Sequence, residues 1–213
     1  MTDTKLFTTT NKVGSAVNYV PGTTTISSQK VGGVCLTMVL TWIKESLRYE
    51  AAGKDIAKTE NDITGSSLNQ IAILHRSLKS RMDSARKHNL AEDVIDEIKA
   101  DYLDAFGLQE IDTALSPEGN MSELPMQLLL LEKGYQLMVI ASTDNVNEHA
   151  FGFKVDSGGG NCYFLDPNAG LWKYDQGDHE LFTKTTFYIQ QNYSAPGKTY
   201  DGGSFATTKL ASH

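Results

Sequence analysis

Cysteine is scarce in this chain, since only Cys35 and Cys162 occur among its 213 residues. One possible bridge in a chain of this length does not make a disulfide framework, so the composition fits a reducing compartment and leaves at least one thiol free for chemistry. The two cysteines are far apart in sequence, and no histidine or aspartate cluster has the spacing of metal ligands. We therefore expect neither a metal nor another cofactor.

Positive charge is also in short supply. The 19 lysines and arginines are outnumbered by 26 aspartates and glutamates, which gives a formal net charge of -7 and a pI near 5.2. Nucleic-acid backbones and anionic membrane surfaces both require a cationic face on the protein that binds them. We therefore expect neither as the main partner, and we expect a protein partner or substrate instead.

Long hydrophobic runs are absent as well. The N-terminus has no continuous apolar segment of the kind that a secretory signal peptide needs, so we expect no export by that route. The most apolar stretch, residues 124–141, is interrupted by Glu132, Lys133 and Gly134. It is shorter than the roughly 20 apolar residues of a membrane span. It predicts a buried helix, a turn and a buried strand, and no transmembrane segment.

The periodicity of the apolar residues predicts helices first and a sheet afterwards. Three- and four-residue spacing is typical of a helix buried on one side, and alternation is typical of a strand. The expected helices cover residues 35–47, 66–89, 91–106 and 121–133. The expected strands cover residues 136–142, 148–155, 161–166 and 170–174, and residues 181–190 are expected to form a last strand or a helix. This order indicates an α+β fold, with a helical N-terminal part packed on a C-terminal antiparallel sheet.

Three parts of the chain differ in composition. Residues 1–30 are rich in threonine, serine, valine and glycine without helical periodicity, and Pro21-Gly22 predicts a turn there, so we expect an extended or flexible arm. Residues 31–192 are expected to form the single folded domain. Residues 193–213 are rich in glycine, serine and threonine and are expected to form a mobile tail.

Cys35 is the first candidate for chemistry. It follows Gly32 and Gly33 and lies in the first turn of the expected helix, where exposed backbone N–H groups and the helix dipole stabilise a thiolate. The flanking glycines also allow a substrate backbone to come close. The alternative is that Cys35 is a small buried apolar residue.

His149 and Asp166 are the other two candidates. The alternation along their strands and the glycine-rich hairpin at residues 157–160 allow the two side chains to lie side by side on neighbouring strands. A carboxylate among aromatic residues needs a partner, and an imidazolium is a suitable one. The alternatives are a hydrogen-bonded core histidine and an ordinary turn aspartate.

A nucleophile at a helix start, a base on one strand and a carboxylate on the next correspond to the papain arrangement. Three sequence blocks resemble the motifs of the YopT/AvrPphB family of bacterial effector cysteine proteases. The blocks are Gly33-Val34-Cys35 with Trp42, Glu148-His149-Ala150, and Tyr163-Phe164-Leu165-Asp166-Pro167-Asn168-Ala169-Gly170. The resemblance implies a papain-like fold, with residues 31–192 as the catalytic domain. It covers these blocks and their order, and not residues 1–28, the insert over 50–120 or the tail.

The resemblance also implies residue roles. Cys35 is expected to be the nucleophile, His149 the general base and then the acid, and Asp166 the residue that orients the imidazole. Gln29 lies six residues before Cys35, which is the offset at which papain-like enzymes place a glutamine in the oxyanion hole. The alternative for Gln29 is a solvated polar side chain. Asn168 is a weaker candidate for a polar role at the site, and packing is expected for Cys162.

The expected function is that of a cysteine protease that cleaves a selected host protein through a thioester acyl-enzyme. By the same resemblance, the chain is expected to be secreted by a bacterium without a cleavable signal peptide and to act in the host cytoplasm. One alternative is a glutamine deamidase or acyl transferase with the same three residues. A second alternative is a catalytically inactive protein-binding module on the same scaffold.

Overall fold

The computed structural model describes residues 4–7, 23–26, 29–32, 34–63, 67–88, 90–111, 118–144, 147–156, 160–174 and 178–213. Within these ranges the expected α+β class is confirmed. The helices are α1 (Cys35–Ala51), α2 (Glu60–Ile63), α3 (Ser67–Lys87), α4 (Glu92–Asp104), α5 (Leu124–Gln127) and α6 (Asp178–Ile189). The strands are β1 (Thr4–Phe7), β2 (Thr23–Ile26), β3 (Gln29–Gly32), β4 (Leu108–Glu110), β5 (Glu118–Asn120), β6 (Gly134–Ala141), β7 (Glu148–Val155), β8 (Cys162–Asp166), β9 (Gly170–Tyr174) and β10 (Ser204–Ser212).

One antiparallel sheet organises the molecule. Its strand order is β1-β9-β8-β7-β6-β10-β4, β5 also pairs with β10, and β2 and β3 pair separately. The strands β6 to β9 form the expected antiparallel meander. In the register of the central strands, His149 lies opposite Ile140, and Ile140 lies opposite Phe205. Residues directly opposite each other project from the same face of a sheet.

Apolar side chains cover both faces of this sheet. On one face, α1 contributes a buried stripe that includes Met38, Val39 and Trp42, and residues of α3 and α4 join the same cluster. On the other face, residues of α5 and α6 pack on side chains such as Phe151 and Phe153 of β7. The helical N-terminal part therefore packs on the sheet, as expected, and β7 is buried on both sides.

A glycine sets the distance between α1 and β7. A Cβ atom at Gly152 would lie 2.8 Å from two ring carbons of Trp42 and 3.1 Å from Val39 Cγ1. Trp42 is fully buried, so its ring has little room to withdraw. The missing side chain at Gly152 thus allows α1 to approach the strand closely.

The expected helices agree with the structure in part. The helices expected over 66–89 and 91–106 are α3 and α4, which pack against each other, and Arg81 on α3 forms an ion pair with Asp101 on α4 at 2.7 Å. The helix expected over 121–133 is much shorter, because α5 and a 3₁₀ turn end at Leu130. Residues 118–120, which precede the expected helix, form β5 and pair with β10. The segment 181–190 is helical: residues 181–189 belong to α6, and residue 190 begins the π-helical turn that follows it.

The expectation of a mobile tail is wrong for residues 204–212. These residues form β10, which is hydrogen bonded to β6 over seven positions and to β4 and β5 on its other side. Phe205 and Leu210 of this strand are buried in the two different clusters. Threonine favours strands when the chain can pair, so the threonine-rich composition that resembled a tail is also suited to an inner strand.

The expected arm contains short strands among its described residues. β1 pairs with β9 at one edge of the main sheet, and β2 pairs with β3 immediately before α1. The expected turn at Pro21-Gly22 and most of the glycine-rich hairpin, residues 157–159, lie outside the described residues. No helix in the described part of the chain is both long enough and apolar enough to span a bilayer.

Candidate active site

Cys35 is the first residue of α1. Val34 is at the N-cap position without a side-chain capping bond, and the first turn contains no acidic residue. The first intrahelical backbone bond runs from the N–H of Met38 to the carbonyl of Val34. The N–H groups of Cys35 to Thr37 therefore form the positive end of the helix dipole, without a carboxylate on the helix itself to offset it.

The packing of α1 on β7 brings Cys35 to the first part of that strand. Val39 touches Gly152, and Cys35 lies four residues earlier, or about 6 Å along a helix. Ala150 lies two residues before Gly152, or about 6.6 Å along a strand. In accordance with these spacings, the backbone N–H of Ala150 is among the groups that lower the pKa of the Cys35 thiol. This strand position also places the thiol beside His149.

The environment of Cys35 favours the thiolate. Burial by itself raises the pKa of a thiol, and Cys35 is only 8% exposed. The hydrogen bond and positive charge of His149 act in the opposite direction, as do the N–H groups of Ala150 and Leu36, and together they lower the pKa of Cys35. The thiol thus has the anion-stabilising neighbours that a reactive cysteine requires.

His149 lies at the beginning of β7 and bridges Cys35 and Asp166. Its Nε2 atom is 2.9 Å from Asp166 Oδ1, and both side chains are buried. Since Asp166 occupies Nε2, Nδ1 is the ring nitrogen left to interact with the thiol. Burial disfavours the imidazolium, but the hydrogen bonds to Asp166 and Cys35 outweigh it and raise the pKa of His149 to about 9.

The register of the sheet explains how Asp166 reaches His149. The paired part of β7 and β8 joins residues 152–154 with residues 163–165. Asp166 follows this paired part, one position after Leu165, and His149 lies at the corresponding end of β7. The two side chains therefore meet just beyond the paired residues of β7 and β8, as the antiparallel arrangement of these two strands allows.

Asp166 is fully buried, and four donors among the described residues bond to its carboxylate. Its Oδ1 atom accepts from His149 Nε2 at 2.9 Å and from the backbone N–H of Asn168 at 2.8 Å. Its Oδ2 atom accepts from the hydroxyls of Tyr188 and Tyr193, each at 2.6 Å. Burial raises the pKa of a carboxyl, but the hydrogen bond and charge of His149 and the two tyrosine hydroxyls lower that of Asp166.

Tyr188 and Tyr193 were not singled out by the sequence. Both follow Asp166 by more than 20 residues, in α6 and in the π-helical turn after it. Their local sequence does not point to the site. Their hydroxyls reach Asp166 because α6 packs against β8 and continues into the turn that holds Tyr193. Tyr193 also stacks on the His149 ring, with centroids 4.9 Å apart and planes 13° apart.

The remaining candidates lie in different places. Gln29 begins β3, which ends at Gly32, shortly before α1; its role stays a prediction. The Asn168 side-chain amide donates to the Tyr193 hydroxyl at 3.3 Å, so Asn168 does belong to the surroundings of Asp166. Cys162 is buried in the other cluster, where it contacts the Asp156 backbone and has a raised pKa from burial. It is a packing residue, as expected.

No metal centre is present within the described ranges. A search of those residues for three or more histidine, cysteine, aspartate or glutamate side chains that could hold an ion finds no such group. Both carboxylate oxygens of Asp166 accept hydrogen bonds from other residues of the chain. A thiol, an imidazole and a carboxylate are the side-chain types that perform nucleophilic attack and proton transfer in many enzymes.

No protein-family model matches the chain, and no curated protein sequence matches it. Among solved structures, the chain is similar to the crystal structure of the Pseudomonas avirulence protein AvrPphB. The TM-score is 0.60, the sequences are 12% identical, and the match covers 84% of this chain and 91% of that chain. At this identity the likeness concerns the fold, and it confirms the papain-like fold that the sequence motifs implied.

Proposed function

We propose that this chain is a papain-like cysteine protease related to the YopT/AvrPphB effectors, with Cys35 as nucleophile, His149 as general base and acid, and Asp166 as the orienting carboxylate. The observation that carries the proposal is the position of the Cys35 thiol, at the start of a helix, beside the His149 imidazole, which is 2.9 Å from the Asp166 carboxylate. The lowered pKa of Cys35 and the raised pKa of His149 support a thiolate–imidazolium pair before substrate arrives.

In the proposed reaction, the Cys35 thiolate attacks the carbonyl carbon of the scissile peptide bond. The oxyanion that forms is stabilised by N–H groups at the start of α1, with the Gln29 side chain as a further donor. The His149 imidazolium gives its proton to the leaving amine, which departs and leaves a thioester on Cys35. The neutral imidazole then takes a proton from water, whose oxygen attacks the thioester and releases the acid product.

Asp166 has two functions in this mechanism. By accepting from Nε2, it fixes the tautomer in which Nδ1 faces the thiol, and its negative charge stabilises the imidazolium. His149 and the hydroxyls of Tyr188 and Tyr193 lower the pKa of Asp166 and keep it ionised despite complete burial. The carboxylate can therefore remain charged throughout the cycle while protons move between Nδ1, the leaving amine and water.

The substrate class follows from the papain-like fold and the acidic composition. A selected protein is the proposed substrate, and nucleic acid and membrane are not proposed as partners. The structural neighbour is an avirulence protein from Pseudomonas. By analogy, we place this chain among bacterial effectors that are secreted without a cleavable signal peptide and act in the host cytoplasm.

Mass spectrometry of candidate host proteins tests the proposed reaction. Incubation with the wild-type chain should yield two fragments of a target, and Cys35→Ala and His149→Ala should yield none. Cys35→Ala should melt at nearly the wild-type temperature, whereas His149→Ala should melt at a lower one, because it leaves Asp166 buried without its partner. A one-dalton gain in an intact target identifies a glutamine deamidase instead, and a cross-linked product identifies an acyl transferase. Cleavage by Cys35→Ala at the wild-type rate would refute the assignment of the nucleophile.

Alkylation separates an enzyme from an inactive binding module. Iodoacetamide should modify Cys35 rapidly near neutral pH, because its pKa is lowered, and should leave Cys162 unmodified, because it is buried with a raised pKa. The Cys162→Ala variant serves as the control, since all modification of that variant must fall on Cys35. Equal, slow modification of both cysteines would favour the binding module.

A further inference from the structure

Tyr193 lies against both members of the buried His149–Asp166 pair. It belongs to the π-helical turn Gln190–Ser194, which follows α6 directly. Its ring is stacked on the imidazole at 4.9 Å, and its hydroxyl donates to Asp166 Oδ2 at 2.6 Å. One side chain therefore contacts the proposed base through its face and the proposed orienting carboxylate through its tip.

Tyr193, His149 and Asp166 each contact the other two. The Tyr193 ring covers one face of His149, His149 Nε2 bonds to Asp166 Oδ1 at 2.9 Å, and Asp166 Oδ2 receives the Tyr193 hydroxyl. Phe151 packs edge-on against both rings, with centroid distances of 4.7 Å to His149 and 5.1 Å to Tyr193. A rotation of the imidazole out of this arrangement would lose the stacking contact and the bond to Asp166 at the same time.

The direction of the Tyr193 hydroxyl is also fixed. The Asn168 side-chain amide donates to the hydroxyl oxygen at 3.3 Å, so the hydroxyl proton is directed at Asp166. The backbone of the turn is held by a hydrogen bond from the N–H of Tyr200 to the carbonyl of Tyr193 at 3.1 Å. Tyr193 is therefore held at its ring, its hydroxyl and its backbone.

Tyr188 provides a natural comparison within the same site. Its hydroxyl donates to the same oxygen of Asp166, at the same distance of 2.6 Å. Its ring, however, packs on Phe164, Trp172 and Tyr193. The two tyrosines thus make equivalent hydrogen bonds to the carboxylate, and Tyr193 adds the stacking contact with His149.

We infer that Tyr193 is a positioning residue for the proposed protease reaction: its stacked ring and its hydroxyl together hold the His149 imidazole in the orientation in which Nδ1 faces the Cys35 thiol. This inference rests on the proposed function, since it assigns Tyr193 a part in the same site. Tyr193 acts through His149 and Asp166. Its effect should therefore appear in the pH range over which the thiolate–imidazolium pair exists.

The rate of Cys35 alkylation by iodoacetate reports this pH range. Iodoacetate is an anion and reacts with a thiolate, so its rate should rise as Cys35 loses its proton and fall again as His149 loses its proton and positive charge. Cys162→Ala is the background for all variants, so that only Cys35 reacts. Tyr193→Leu removes the aromatic face and the hydroxyl, Tyr193→Phe removes only the hydroxyl, and Tyr188→Leu is the matched control for loss of a tyrosine that bonds to Asp166.

We expect Tyr193→Leu to narrow the pH range over which iodoacetate alkylates Cys35 rapidly by about one pH unit or more. One unit corresponds to a tenfold change in one protonation equilibrium. Tyr193→Phe should restore most of the lost range, because the ring remains stacked on His149. Tyr188→Leu should narrow the range by less than half as much as Tyr193→Leu. If Tyr193→Leu does not fold, Tyr193→Met takes its place, because methionine fills a similar space without an aromatic face.

Three results would overturn the inference. The first is a wild-type pH range in Tyr193→Leu. The second is that Tyr193→Leu and Tyr188→Leu narrow the pH range of Cys35 alkylation equally. The third is that Tyr193→Leu and Tyr193→Phe narrow it equally. Either of these two results would mean that loss of a hydrogen bond to Asp166 accounts for the effect. Alkylation needs no protein substrate, so this comparison can succeed or fail independently of whether the chain cleaves a protein.

Discussion

Replacement of Asp166 by asparagine tests the site most sharply. The side chain keeps nearly the same size, but it loses its charge and one acceptor oxygen in a fully buried position. The backbone N–H of Asn168 is a fixed donor at 2.8 Å from Oδ1, so the amide oxygen should remain at that position. The new NH₂ group then faces the hydroxyls of Tyr188 and Tyr193, which both donate in the wild-type chain.

The Asp166→Asn substitution should lower both the stability of the fold and the activity. Removal of one partner from a buried ion pair typically costs roughly 3 to 5 kcal/mol. His149 can relieve part of this cost by giving up its proton, and the tyrosine hydroxyls can rotate, so we expect the free energy of unfolding to fall by about 2 to 4 kcal/mol. Turnover should fall roughly 10- to 1000-fold, because the imidazolium loses its stabilising charge.

The pH dependence of the stability difference has a definite sign. The folded pKa of Asp166 is lowered from 3.8, so its contribution to stability is present above that pH and is lost as the pH falls. The folded pKa of His149 is raised from 6.5 to about 9, so its contribution is complete below 6.5 and is lost as the pH rises toward 9. The difference between wild type and Asp166→Asn should therefore be largest between about pH 4 and 6.5.

Urea unfolding at several pH values and the iodoacetate profile of Cys35 should be measured on the same preparation. In Asp166→Asn the high-pH fall of the alkylation rate should move well below pH 9, because His149 becomes less basic. An unchanged profile together with unchanged stability would refute the argument, since it would mean that the charge of Asp166 supports neither the imidazolium nor the fold.

Three further predictions concern residues outside this pair. Gln29→Ala should lower turnover about 100- to 1000-fold if its amide binds the oxyanion, and full activity would exclude that role. Gly152→Ala should reduce the free energy of unfolding by about 1 to 3 kcal/mol in urea, because its Cβ would lie 2.8 Å from the Trp42 ring, whereas equal stability would mean that α1 can shift freely. His75, whose pKa is lowered to about 4 by burial and by Lys79, should make the free energy of unfolding decrease as the pH falls from 6.5 to about 4, by about 1 to 2 kcal/mol at pH 5 relative to pH 7. This loss should be absent in His75→Gln, and an identical loss in that variant would remove His75 as its cause.

Local patterns in the sequence predicted the elements that carry the candidate site. The apolar spacing after Cys35 predicted a helix that begins at the thiol, and α1 does begin there. The alternation around His149 predicted a strand, and the order of helices and strands predicted the α+β class. These features depend on residues within a few positions of one another, and such patterns are directly visible in a sequence.

The same patterns gave wrong predictions for parts of the chain whose structure depends on residues far away in the sequence. The segment over 204–212 reads as a tail because its threonine, serine and alanine residues form no strong apolar run. It is an inner strand because β6, more than 60 residues earlier, supplies its hydrogen bonds, and because Phe205 and Leu210 complete two separate cores. Pairing over such a separation leaves no local signal in the strand itself.

The sequence by itself determined the three residue types of the site, their order along the chain and the elements that present them. Only the tertiary structure decided how that site is completed: Gly152 lets α1 come close enough to bring Cys35 to His149, and the turn after α6 brings Tyr193 to His149 and Asp166. The physical reason is that a hydrogen bond or a stacked ring depends on distances of a few ångströms between residues far apart in sequence, and these distances are set by packing.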